Sequence, residues 1–405
     1  MIFIVSVSFF ALIASEVVLQ AIVRYFRKDF QWLITEKDEY PEFDKDAFIK
    51  FIQSSYDKEL GWVRKPNTNG IERGKYGNIT YCIDDVGSRK NTITGETSIV
   101  TFGDSYTFCR QVEDSQTWQV YLSKELGSKV LNFGVGNYGA DQALLYYQRQ
   151  ATPTTTKVVI LGFVPETICR IQSYWKHYLE FGNIFAFKPM FTLENGELTL
   201  HKNLIGNLDG LSDIDEAIKC AKNKDLFYKS KFRHFQFRFP YLLRYLLNFQ
   251  RHSVLFYFLA RKKIFSAFRI KNSNVENAPF SKIMLDNIKH SHDMYGSRYA
   301  CNLLEKILVK FCYEAYKRGH KPLVLVMPQL IDIKIINKQG GNIPYSDFFS
   351  KINDRVPVLD MTTYVNNSNV EDLYTDDMYG GHFSELGNKL VADKVLHYLK
   401  NKILQ

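Results

Sequence analysis

Apolar residues in this chain gather in short runs that alternate with mixed segments. Ile99–Phe102, Val130–Phe133 and Lys157–Gly162 read as strands too continuously apolar to leave one face in water, the pattern of a parallel sheet covered on both sides. Between them, Gln116–Leu126 sets Trp118, Tyr121, Leu122 and Leu126 at helical spacing, and Asp141–Gln150 reads as a second helix. The pattern resumes with strands over Pro322–Met327 and Val356–Leu359 and helices over Leu303–Lys317 and Ser384–Leu399. Strands and helices alternating through short loops predict a three-layer, doubly wound α/β sheet.

The remaining segments divide the chain. Met1–Ser15 is almost unbroken Ile, Val, Phe, Leu and Ala; Glu16 interrupts it before Val17–Val23, and Arg24, Arg27 and Lys28 follow. Residues 1–23 read as a transmembrane anchor or signal segment, reaching the ~20 residues of a span if Glu16 snorkels, with no small-x-small cleavage site. Positive charge after the segment would by itself keep the remainder cytoplasmic. Residues 24–95 form a lead-in with a small β-rich part around Ile79–Ile83, and 96–170 and 295–405 are the two halves of the core. Between the halves lies a helical insertion, residues 171–294. Its stretch Lys222–Lys271 holds 13 Lys or Arg against a single acid, Asp225, among many aromatics. No nucleic-acid motif accompanies it, so a membrane-facing or anionic-glycan surface is the expectation, with helices packed on the core and solvated charges as the plainer reading. Arg244, Asn248, Gln250, Arg251 and His252 speak against a lipid-exposed span there.

Composition changes this picture little. With 45% apolar residues in 405 the chain is not disordered, and the net charge of +9 is concentrated in the insertion. Six scattered Cys form no CxxC or His/Cys cluster, so neither a metal nor another cofactor is expected, and Cys109, four residues after Ser105, is expected to pack behind that serine.

Two stretches carry chemistry. Strand one ends in Gly103-Asp104-Ser105 and runs into a helix, which presents Ser105 at the carboxyl edge of the sheet with its amide at a positive helix terminus. Near the other end stands Asp376-Asp377-Met378-Tyr379-Gly380-Gly381-His382, followed by Ser384 as a helix cap. A serine nucleophile needs a base, and a neutral imidazole needs a carboxylate to set its tautomer.

With Asn132-Phe133-Gly134-Val135-Gly136-Asn137-Tyr138-Gly139 between them, these stretches resemble the blocks of the SGNH (GDSL-type) hydrolase superfamily. Longer phrases, Thr101–Val112, Val130–Leu145 and Gly380–Asn388, resemble a subgroup of bacterial surface-polysaccharide SGNH proteins. The resemblance implies a flavodoxin-like α/β/α sheet, with Ser105 as nucleophile, His382 as base and Asp377 as orienting acid. The superfamily's usual acid position, three residues before the His, is Tyr379 here, so Asp376 is the alternative. The oxyanion hole would comprise the Ser105 amide and the Asn137 position beside Gly136, where the superfamily has Gly and Asn tolerates a left-handed backbone. The third-block Asn is absent from Gly162–Thr167; Arg170 and Gln172–His177 are candidates to replace it, and Arg89, Arg170 and Trp175 are possible substrate-side residues. The implied activity is acyl transfer on a cell-surface carbohydrate or acylated glycan, by esterase or O-acetyltransferase chemistry. The protein would be a single-pass protein of a bacterial inner membrane, its catalytic part periplasmic. A lipid-directed esterase and an inactive glycan-binding or assembly protein are the alternatives.

Overall fold

The five apolar runs form one parallel sheet: β1 (Thr97–Gly103), β2 (Lys129–Gly134), β3 (Val158–Phe163), β4 (Lys321–Val326) and β5 (Val358–Asp360). Their spatial order is β5-β4-β3-β1-β2, the flavodoxin-like winding, which places a topological switch point at the carboxyl ends of β1 and β3. The computed structural model describes residues 2–26, 33–179, 183–205, 214–270, 273–366, 369–375 and 381–403.

Strand pleating divides the apolar side chains between two cores. Val100, Phe102, Val159, Leu161, Val324 and Val326 face one side of the sheet, against α4 (Ala140–Arg149) and α8 (Arg298–Lys317). Ile99, Val130, Val158, Ile160, Leu323 and Leu325 face the other, against α3 (Trp118–Leu126) and α9 (Glu385–Tyr398). These are the three layers that the alternation predicted. Cys109 is buried in the second core.

The N-terminal helix α1 (Ile2–Phe26) includes Ser6–Tyr25, whose mean hydropathy of 1.9 makes it long and apolar enough to cross a membrane. The lead-in contains an antiparallel hairpin, Asn69–Gly74 with Gly77–Cys82. Between β3 and β4, the segment expected to be helical also carries a hairpin, Met190–Glu194 with Glu197–His201. Its turn is Asn195-Gly196, both at positive φ (52° and 82°), a strong short-range hairpin signal. Beyond it lie α5 (Tyr241–Leu247), α6 (Phe249–Ala267) and α7 (Ser273–Met294).

Candidate active site

β1 ends at Gly103, whose φ is +157°; a Cβ there would stand 2.0 Å from the Gly162 carbonyl oxygen. Only glycine fits this approach of β1 to β3. The chain then turns into a short helix, α2 (Ser105–Phe108), capped by Asp104. Asp104 Oδ1 accepts from the Tyr106 amide at 2.9 Å; Oδ2 accepts from the Val164 amide at 3.0 Å and from Arg170 at 3.4 Å. Burial pushes the Asp104 pKa up, while the Arg170 charge and these amides pull it back. The cap thus ties the start of α2 to the loop after β3.

Ser105 opens α2, and its Oγ lies 2.9 Å from His382 Nε2. The segment that delivers His382 is held against residues 373–375. Tyr374 and Phe383 form an antiparallel bridge, the Thr375 amide donates to the His382 carbonyl at 2.8 Å, and the Ser384 amide donates to Leu373 at 2.8 Å. Ser384 also caps α9, accepting from the Gly387 amide at 3.3 Å. The Tyr106 ring stacks on His382 with centroids 4.9 Å apart.

His382 is 3% exposed. Burial, reinforced by the charges of Arg110 and Arg170, holds its imidazole well below the ordinary 6.5. It is therefore neutral near pH 7, the form able to take a proton from a serine. Among the described residues no acceptor reaches His382 Nδ1. Asp377 and its alternative, Asp376, lie outside the described residues, in the segment that joins Thr375 to Gly381.

Asn137 has a φ of +64°, the left-handed conformation its glycine-like position requires. It lines a cleft of ≈ 170 Å³ together with Ser105, Gly136, Trp62, Arg64, Arg110 and Lys176. The Gly136 carbonyl accepts from Trp62 Nε1 at 3.0 Å, which fixes the loop after β2. The cleft thus brings Ser105 and the loop after β2 together.

Three expected substrate-side residues are instead internal staples. Arg89, 1% exposed, donates to Asp114 at 2.7 Å, to Phe108 at 2.8 Å, to Cys109 at 2.7 Å and to the Val112 carbonyl. Arg170, 4% exposed, donates to Glu166 at 2.7 Å and Tyr138 O at 3.2 Å besides Asp104. Trp175 is buried, stacks on Phe187 at 4.8 Å and donates to Ile184 O at 2.7 Å. Each satisfies buried acceptors or fills core volume, which leaves no face for substrate. From the segment Gln172–His177, Lys176 lines the cleft; burial and the Arg170 and Arg110 charges lower its amine to about 7.

Sequence reasoning did not single out Arg64, Arg110 or Tyr106. Arg64 and Arg110 flank Glu72, at 3.6 and 3.2 Å, and share the cleft with Ser105. Their only sequence signal is position, Arg110 within the phrase Thr101–Val112 and five residues past Ser105, Arg64 in the lead-in.

No protein-family profile matches the sequence, and no curated protein matches it. Solved structures do. A protein described as lipolytic, of the G-D-S-L family, from Desulfitobacterium hafniense is 12% identical with a TM-score of 0.31, over 75% of this chain and 99% of that one. A member of the lipolytic protein G-D-S-L family from Veillonella parvula is 12% identical with a TM-score of 0.32, also over 75% and 99%.

Proposed function

We propose that this chain is a serine-dependent acyl-ester hydrolase or O-acyltransferase of the SGNH type. The observation that carries the reading is the 2.9 Å contact between Ser105 Oγ and a neutral His382 at the switch point of the sheet. Ser105 attacks an acyl carbonyl while His382 takes its proton. The tetrahedral oxyanion is met by the Ser105 amide and the Asn137 loop, with Lys176 standing in for the absent third-block Asn. Collapse expels the alcohol, which receives the proton from His382. Water or a sugar hydroxyl, deprotonated by His382, then attacks the acyl-enzyme and restores Ser105. Asp377, or Asp376, orients His382 through Nδ1–H.

A cell-surface carbohydrate as substrate, with the catalytic part in the periplasm, is supported by the resemblance of the longer phrases, and the apolar N-terminal helix fits a membrane-held enzyme. The exposed apolar side chains on α5 and α6 favour a second substrate, membrane-lipid acyl chains. Preference for long-chain over acetyl esters would select it.

The mechanism is tested by labelling the full-length protein in detergent with a fluorophosphonate. The expected outcome is one adduct, on Ser105, absent from Ser105→Ala and formed far more slowly in His382→Ala. A folded protein that takes no label, or takes it elsewhere, would reject the reading.

A further inference from the structure

The N-terminal helix is tied to the insertion at an unusual place. Glu16, the sole acid of α1, accepts hydrogen bonds from the Tyr241 and Leu242 amides, the latter at 2.8 Å. These are the first two amides of α5, so a carboxylate within an apolar helix caps another helix. Beyond it, Leu19, Ile22 and Val23 pack against the buried cluster of Leu33, Phe237 and Tyr241.

Depth follows from geometry. The 20 residues Ser6–Tyr25 rise about 30 Å, the thickness of a hydrocarbon core. Glu16 stands near the middle of that length. A carboxylate at mid-bilayer is tolerated only when partnered, and the start of α5 supplies the partner. Where α1 spans the membrane, α5 must therefore enter it as well.

The surfaces of α5 and α6 agree. Leu243, Leu246, Leu247 and Phe249 are 50–59% exposed. Of the polar residues that argue against lipid contact, Asn248, Arg251 and His252 are buried, Arg244 is half-buried and Gln250 is exposed; at the α5–α6 break Asn248 Nδ2 donates to Arg244 O at 3.5 Å and to His234 O at 3.1 Å. This is the internal satisfaction that interrupted helices need in lipid. Towards the far end of α6, exposed Ile264, Phe268 and Ile270 alternate with exposed Arg261, Lys263 and Arg269, the make-up of a segment lying among anionic headgroups.

We infer that α5 and α6 form a membrane-seated re-entrant unit, docked on the α1 span through Glu16 and ending at an anionic lipid surface. The bilayer is the partner of this face, and α1 is a retained part of the fold, since its removal would uncap α5. The inference is independent of the acyl chemistry.

The test uses the full-length chain in phosphatidylglycerol–phosphatidylcholine vesicles, with photoreactive benzoylphenylalanine replacing Phe10, Leu246, Phe268 or Tyr76 in turn. Tyr76, 95% exposed on the lead-in hairpin, is the aqueous control. Lipid adducts are expected at 10, 246 and 268 and absent at 76. In Glu16→Leu, the adduct at 246 is expected to be lost and that at 10 to persist. Adducts at 10 but at neither 246 nor 268, protein adducts in place of lipid there, or no lipid adduct at 10, would each overturn the proposal; an adduct at 246 that survives Glu16→Leu would overturn the docking.

Discussion

The Tyr106 hydroxyl donates to the carbonyl of Gly381, joining the residue after Ser105 to the residue before His382. The two halves of the core are thus locked together one residue away from each of the proposed reacting groups. With the ring of Tyr106 stacked on the imidazole, a single side chain sets both the height and the tilt of His382 relative to Ser105.

Tyr106→Phe keeps the stack and removes the hydroxyl. The expected loss is about 1 kcal/mol, roughly fivefold in kcat with KM little changed, because the His382 segment loses one tether and no substrate contact. Steady-state kinetics with a soluble ester check this.

The acid is separable by substitution. Asp377→Asn is expected to lower kcat by on the order of 10⁴-fold, as when a triad carboxylate is removed, and Asp376→Asn to leave it near wild type. The reverse result would assign the role to Asp376.

The pH profile carries the sign of the His382 shift. A base works unprotonated, so activity falls as pH drops through its pKa. Burial and the Arg110 and Arg170 charges place that pKa below 6.5, so the acid-side fall of kcat/KM is expected below pH 6.5, after a modest rise as Lys176, its amine lowered to about 7, gains its proton. Arg110→Gln removes one of those charges and should move the acid limb to higher pH.

Arg89 is a stability residue. Arg89→Ala leaves three carbonyls and Asp114 without their buried donor. Chemical denaturation is expected to show a loss of about 3–5 kcal/mol.

The sheet was legible because buried parallel strands are written as continuous apolar runs, and Ser105 and His382 because their neighbours fix a turn and a helix start. Strand β5 begins at Val358 and not Val356: Pro357 has no N–H for the ladder and offers only its carbonyl, to the Val324 amide at 2.8 Å. Helices Leu330–Lys338 and Ser346–Ile352 were not anticipated. The cleft was least legible. Arg64, Arg110 and Lys176 arrive from the lead-in, the loop after α2 and the insertion, and only tertiary packing brings them together. Conversely, Arg170 follows the third-block stretch Gly162–Thr167 and Arg89 precedes β1, yet nothing local distinguishes an arginine facing substrate from one facing backbone carbonyls.

The most direct test is turnover of p-nitrophenyl acetate by the full-length protein in detergent, beside Ser105→Ala and His382→Ala. The account predicts hydrolysis by wild type and a fall on the order of 10⁴-fold or more in each folded variant. Equal turnover by all three would contradict a catalytic Ser105–His382 pair.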